Sequence, residues 1–117
     1  MSIEFKRLAE IDKCKIIELM NNHLVRRYMP LLKNEFNESV CNKFVNSKEL
    51  LWLKYGYGPW AFTHDDKFIG WGGLQPEHGD VDLALVLHPK YWGKGKIIYK
   101  RILNYAFNDM KFKSITI

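Results

Sequence analysis

The stretch His88-Pro89-Lys90-Tyr91-Trp92-Gly93-Lys94-Gly95 decides how this chain of 117 residues is read. It stands between a short apolar run, Val81 to Leu87, and a helical pattern from Lys96 to Met110. Strand, glycine turn and helix in that order bring backbone amides to a helix N-terminus, where unpaired N–H groups and the positive end of the helix dipole favour an anion. Gly93 and Gly95 leave the backbone approachable, and basic residues surround them. The turn reads as a cradle for a pyrophosphate.

Working outward, Val81 to Leu87 is nearly continuous in apolar residues and reads as a strand buried on both faces. Behind the turn, Ile98, Ile102, Tyr105 and Ala106 line one side of the helix. Ahead of the strand, Gln75 to Asp80 forms a polar turn. Trp60 to His64 and Lys67 to Leu74 flank Asp65-Asp66 as a β-hairpin does. Gly70, Gly72 and Gly73 in its second strand are unusual, since glycine weakens a strand unless a bulge or a close backbone approach needs it. Trp60 and Trp71 on these strands read as core or cross-strand packing.

The N-terminal half is helical. Ile3 to Leu8 alternates as a half-buried strand, and Ile11 to Leu24 places Ile17, Met20 and Leu24 on one helical face backed by Ile16 and Leu19, with Pro30 ending the region. Asn34 to Asn37 supplies caps for a helix from Glu38 to Lys54 that carries Val40, Phe44, Leu51 and Trp52, with a break at Asn46-Ser47 as one option. Tyr55 to Pro59 stops it. Ser114 to Ile117 begins a last strand, which makes the order β-α-α-β-β-β-α-β.

Composition narrows the classes. With 47% hydrophobic and 15% aromatic residues the chain has the material for a packed core, and its length suits one domain over residues 1–117. No stretch approaches the ~20 apolar residues of a membrane span, and Met1 to Lys15 lacks the apolar centre of a secretory signal, so a cytoplasmic protein without a membrane partner is expected. Cys14 and Cys41 each sit in a helical segment and read as reduced, partly buried thiols. His23, His64, His78 and His88 are scattered and share no metal-ligand spacing, so no metal is expected.

The formal charge of +5 suits either a nucleic acid or a polyanionic cofactor. Lys90, Lys94, Lys96, Lys100 and Arg101 gather on the turn and its helix, with no long cationic face interleaved with aromatics, which argues against nucleic acid. A solvated helix face is the competing reading of each lysine.

The turn resembles the acetyl-coenzyme A signature of the GNAT superfamily of N-acetyltransferases, (Gln/Arg)-x-x-Gly-x-(Gly/Ala), which falls on Lys90, Gly93 and Gly95. The likeness is greatest to the ribosomal-protein-N-acetyltransferase-like branch, which acetylates protein N-termini and other amines. Lys90 departs from the pattern, keeping a cationic donor but losing the planar fork of Arg. The resemblance spans essentially the whole chain. It implies an α/β fold with a mixed, mostly antiparallel central sheet flanked by helices, and transfer of acetyl from acetyl-coenzyme A, the cosubstrate, to a primary amine on a protein N-terminus or a small molecule.

It also implies roles. Backbone groups of Leu85, Val86 and Leu87 would bond the pantetheine arm as an added strand, and one of the latter two amides would polarise the acetyl carbonyl. Lys90 and the amides of Trp92, Gly93, Lys94, Gly95 and Lys96 would hold the pyrophosphate. Trp92 either packs on the helix or covers the cofactor, packing being favoured. Tyr28, Met29 and Pro30 fall where relatives shape the acceptor pocket. Asp82 is the leading candidate for the base that takes the amine's proton through a water, with His78, Glu77 and Asp80 as alternatives.

Family members continue into a fourth helix, which carries a tyrosine acid, and a terminal hairpin; the sequence ends at Ile117, before these C-terminal elements. A truncated chain, strand exchange in a homodimer through the last strand, and a naturally short domain all fit that end. Two further functional readings stay open, a non-catalytic acyl-coenzyme A-binding or interaction module and a basic nucleic-acid-binding domain.

Overall fold

The computed structural model describes residues 2–29, 34–77 and 80–109. Its centre is an antiparallel sheet of β1 (Glu4–Lys6), β2 (Pro59–His64), β3 (Lys67–Glu77) and β4 (Asp80–Leu87), in that spatial order. Helices α1 (Lys13–Asn21), α2 (His23–Arg26) and α3 (Glu38–Tyr55) precede β2, and α4 (Gly95–Asn104) follows β4 after a 3-10 helix at Pro89–Lys94. This is the expected mixed α/β, mostly antiparallel architecture. The last strand at Ser114 to Ile117, the dimer contact through it, Pro30 and His78 lie outside the described residues.

Alternation along the strands divides the core between two faces. Phe62, Ile69, Leu74 and Leu87 pack with Ile98, Ile102 and Ala106 of α4 and the turn after it. Ala61 and Trp71 point the other way, into Ile16, Leu19 and Met20 of α1 and Cys41 and Val45 of α3. Each large side chain buried this way contributes ~1.5–3 kcal/mol, so both helix layers are held by the same sheet. Trp60 and Trp71 are both core residues, but on opposite faces, because Trp60 pairs with Gly72 and Trp71 with Ala61.

The hairpin forms where expected. Asp65 and Asp66 take φ of 51° and 62°, the positive values a two-residue turn of matching twist needs. One residue of β3 is extra, since Thr63 pairs with Phe68 but Phe62 with Gly70, leaving Ile69 as a bulge. The strand glycines then have a steric reason. A Cβ on Gly70 would stand 2.3 Å from the Val86 carbonyl oxygen, and one on Gly72 2.4 Å from that of Ala84. Backbone approach of β4, which carries the candidate site, requires glycine on β3.

Several expectations are corrected. The helix expected over Ile11 to Leu24 is two, because Asn22 turns extended (φ −60°, ψ 126°) and its side chain caps the amides of Leu24 and Val25. The buried face of α1 is Ile16, Leu19 and Met20, while Ile17 is half-buried. Helix α3 runs unbroken through Asn46-Ser47, whose hydroxyl donates back to the Phe44 carbonyl at 2.8 Å. Asn37 caps its start and Gly56, at φ 75°, ends it. No polar turn spans Gln75 to Asp80, since β3 continues to Glu77 and β4 begins at Asp80. Residues Val81 to Val86 are half-buried, not buried on both faces, because β4 has a strand neighbour on one edge only among the described residues. Cys14 is exposed and Cys41 fully buried, both free thiols.

Candidate functional site

The segment after β4 is folded, not an open loop. His88 caps it by accepting from the Lys90 amide at 3.1 Å, and Pro89 fixes its first residue. The Tyr91 amide donates to the His88 carbonyl at 2.8 Å, and the Gly95 amide donates to the carbonyl of Trp92. The cradle imagined as free amides from Trp92 to Lys96 is thereby reduced, since the Gly95 amide is engaged inside the 3-10 helix. Helix α4 itself begins at Gly95, and Lys94 at its N-cap position offers no side-chain cap, whereas Asp12, Asn22 and Asn37 cap α1, α2 and α3. The positive end of its dipole therefore has no side-chain acceptor from the N-cap residue.

Internal sterics do not explain the two glycines. Neither has positive φ, and a Cβ on Gly93 would meet nothing within 4 Å. One on Gly95 would make ordinary contacts of 3.6 Å with Leu85 and Leu87. The space over the turn is open on the side that faces solvent.

Beside it lies a cavity of about 340 Å³. Leu85, Val86, Leu87, Trp92 and Gly95 form one wall, and Val25, Tyr28 and Met29 from α2 and the residues after it form the other. Leu85 and Leu87 belong to the α4 face of β4 and Val86 to the α1 face, so the cavity wraps the strand's outer edge, β3 occupying the inner one. An extended ligand entering here would lie along β4 with backbone groups beside it.

Trp92 is more than packing. Its indole N–H donates to the Leu87 carbonyl at 2.8 Å, and its ring meets Tyr28 edge-on at 5.6 Å, so the two aromatics span the cavity mouth. Trp92 stays 43% exposed.

The other sequence candidates divide. Gly93, Lys94 and Lys96 are exposed at the start of α4. Lys90 is exposed but lines a different cavity, on the α1 side of the turn. Arg101 leaves the basic cluster altogether, lying over the Phe5 ring at 4.3 Å and donating to the Ile3 carbonyl. Asp82 pairs with Gln75 across β3 and β4 and so shares its face, where Lys48 of α3 donates to Gln75 Oε1 at 3.2 Å. That ammonium also stands over the Phe44 and Trp71 rings, and burial pushes its pKa below the ordinary lysine value. Lys48 and Val25 were missed in the sequence, where one looks like a solvated lysine and the other like any core valine. No group of metal-ligating residues occurs among the described residues. No helix among them is long and apolar enough to cross a membrane.

Comparison with known proteins places this fold. The chain is similar over 98% of its length to an acetyltransferase (GNAT family) from Bacillus anthracis, at 20% identity and a TM-score of 0.74, covering 68% of that chain. It is similar over 97% to the Campylobacter jejuni N-acetyltransferase PseH in complex with acetyl coenzyme A, at 19% identity and TM-score 0.63, covering 74% of that chain. It also resembles, over 95%, a Thermoplasma acidophilum N-acetyltransferase, PaiA, in complex with coenzyme A, at 24% identity and TM-score 0.54, covering 73%. No curated protein matches it in sequence. A family model described as an acetyltransferase (GNAT) domain matches residues 3–117. The chain belongs to the GNAT acetyltransferase family.

Proposed function

We propose that this chain is an N-acetyltransferase that takes acetyl from acetyl-coenzyme A and gives it to a primary amine, on a protein N-terminus or a small molecule, in the cytoplasm. The observation that carries the reading is the cavity along the outer edge of β4, continuous with an uncapped helix N-terminus whose glycines the fold itself does not need. Structural neighbours solved with acetyl-coenzyme A and coenzyme A support the choice of cosubstrate.

Leu85, Val86 and Leu87 would pair with the pantetheine arm, and the start of α4, with Gly93, Lys94 and Lys96, would take the pyrophosphate. Trp92 holds the Leu87 carbonyl, so that group is engaged until the indole moves. The neutral amine attacks the thioester carbonyl carbon, an N–C bond forms and the C–S bond breaks. The amine's excess proton passes through a water to Asp82, and the departing thiolate takes a proton from solvent. The position of Asp82 on β4, ahead of Leu85 on the same strand, supports this choice of base.

Calorimetric titration with acetyl-coenzyme A at two salt concentrations, followed by turnover on a panel of peptides and small amines, tests the reading. Saturable binding near one site per chain, with turnover that falls at least ~10²-fold in Asp82→Asn while affinity holds, is expected. Absence of binding refutes the cosubstrate assignment. Binding without turnover on any amine reduces the chain to an acyl-coenzyme A-binding module.

A further inference from the structure

The outer edge of β4 is partly occupied by the chain itself. Carbonyl oxygens alternate across an antiparallel strand, and those of Ala84 and Val86 face β3, where a Cβ on Gly72 or Gly70 would stand 2.4 or 2.3 Å from them. The backbone groups of Leu85 and Leu87 therefore point to the outer edge, where β4 has no strand neighbour among the described residues. The His88 amide follows the same alternation, donating to the Ile69 carbonyl of β3 at 2.8 Å. Of the outward groups, the Leu87 carbonyl is held by the Trp92 indole N–H at 2.8 Å.

That indole takes the acceptor an added strand would use. Donor, distance and acceptor are those of a ladder hydrogen bond, made here by a side chain five residues further along. The core does not hold the ring there, since Trp92 is 43% exposed and belongs to neither apolar cluster. Its ring partner among the described residues is Tyr28, edge-on at 5.6 Å and itself 76% exposed. The two rings line the cavity of about 340 Å³ from opposite walls, so a ligand running along β4 meets them at the mouth.

We propose that Trp92 gates the pantetheine arm: its indole occupies the Leu87 carbonyl in the ligand-free chain and yields it to an amide N–H of the arm, so that seating the arm and swinging the indole are one event. The inference rests on the acyl-coenzyme A reading of this edge. The arm carries amide N–H groups and can make the exchange; the nucleotide phosphates, which dock at the start of α4, do not reach it. The displaced indole bonds to water, because it is already partly exposed. The gate therefore costs the ligand the net worth of one hydrogen bond, roughly threefold to tenfold in Kd.

The test is calorimetric titration of the parent and of Trp92→Phe with coenzyme A and, separately, with adenosine 3′,5′-bisphosphate, which carries phosphates but no arm. The phenyl ring keeps apolar bulk at the mouth and removes the donor. Coenzyme A should bind the variant about threefold to tenfold more tightly, and the bisphosphate should show no difference between the two proteins. In the parent, the indole N–H resonance that the variant lacks should be protected from solvent exchange in the free chain. It should lose that protection when coenzyme A saturates the protein and keep it when the bisphosphate is added. Equal or weaker coenzyme A affinity in Trp92→Phe, the same gain for both ligands, or an indole that stays protected in the coenzyme A complex overturns the gate and leaves the cosubstrate reading in place. The resonance measurement decides the matter if the variant fails to fold. No binding of coenzyme A to either protein refutes the cosubstrate reading itself, and the gate with it.

Discussion

Gly93→Ala separates what the fold needs from what a ligand needs. The added methyl meets no atom within 4 Å and the backbone there does not have positive φ. Folding should therefore gain, since alanine at a compatible site has less conformational freedom to lose, worth about 0.4–1 kcal/mol. For a domain of this size that corresponds to a rise in Tm of about 2–4 °C. The same methyl would project into the open space where a pyrophosphate must approach the start of α4. Displacing the anion sacrifices at least one charge-assisted hydrogen bond, about 1.5–3 kcal/mol, or roughly tenfold or more in Kd for acetyl-coenzyme A. Gly95→Ala is the control, because its methyl makes only 3.6 Å contacts with Leu85 and Leu87 and the family pattern admits alanine there. Differential scanning calorimetry and titration calorimetry on the two variants give both quantities. A Gly93→Ala protein that is more stable and binds acetyl-coenzyme A as tightly as the parent would refute the cradle; one that unfolds would refute the steric argument.

Gly70→Ala should behave oppositely, since its Cβ would press on the β4 backbone at 2.3 Å. A loss of about 3 kcal/mol, lowering Tm by roughly 10 °C, is expected by thermal melting, and an unchanged Tm would show that β3 and β4 are not this close. Lys48 has a folded pKa below its unfolded value, so the unfolded chain holds the proton more tightly and the parent gains stability as pH rises toward the unfolded lysine value. The stability advantage of Lys48→Met over the parent, from urea melts across alkaline pH, should accordingly shrink as pH rises; growth would contradict it. Cys14 should react with a thiol reagent in the native state while Cys41, buried and with its pKa pushed up by burial, reacts only on unfolding. Rapid native labelling of both, read by mass spectrometry, would overturn the burial.

Much of the fold was legible because local chemistry decides it. The hairpin at Asp65-Asp66, the cap at Asn37, the stop at Gly56 and the apolar stripe of Ile98, Ile102 and Ala106 each follow from side-chain periodicity or from a backbone conformation that only certain residues adopt. The glycine turn and its helix were readable for the same reason, and with them the family. Tertiary structure decided the rest. Asn22 splits a helical pattern because its side chain offers the amides of α2 a better partner than solvent does, and periodicity does not register that competition. The strand glycines were recognisable as odd, but only the path of β4 over β3 says which carbonyls they accommodate. Lys90, Lys94, Lys96, Lys100 and Arg101 are neighbours in sequence, yet the turn sends Lys90 to the α1 side while Arg101 lies over Phe5 of β1. Val25, Lys48 and Thr63 acquire their places from residues far away along the chain, as the sheet and helices pack. Sequence by itself determined most of the elements and the glycine turn, because those depend on neighbours within a few residues; which side chains converge on a cavity, and which carbonyl an indole holds, were decided only by that packing.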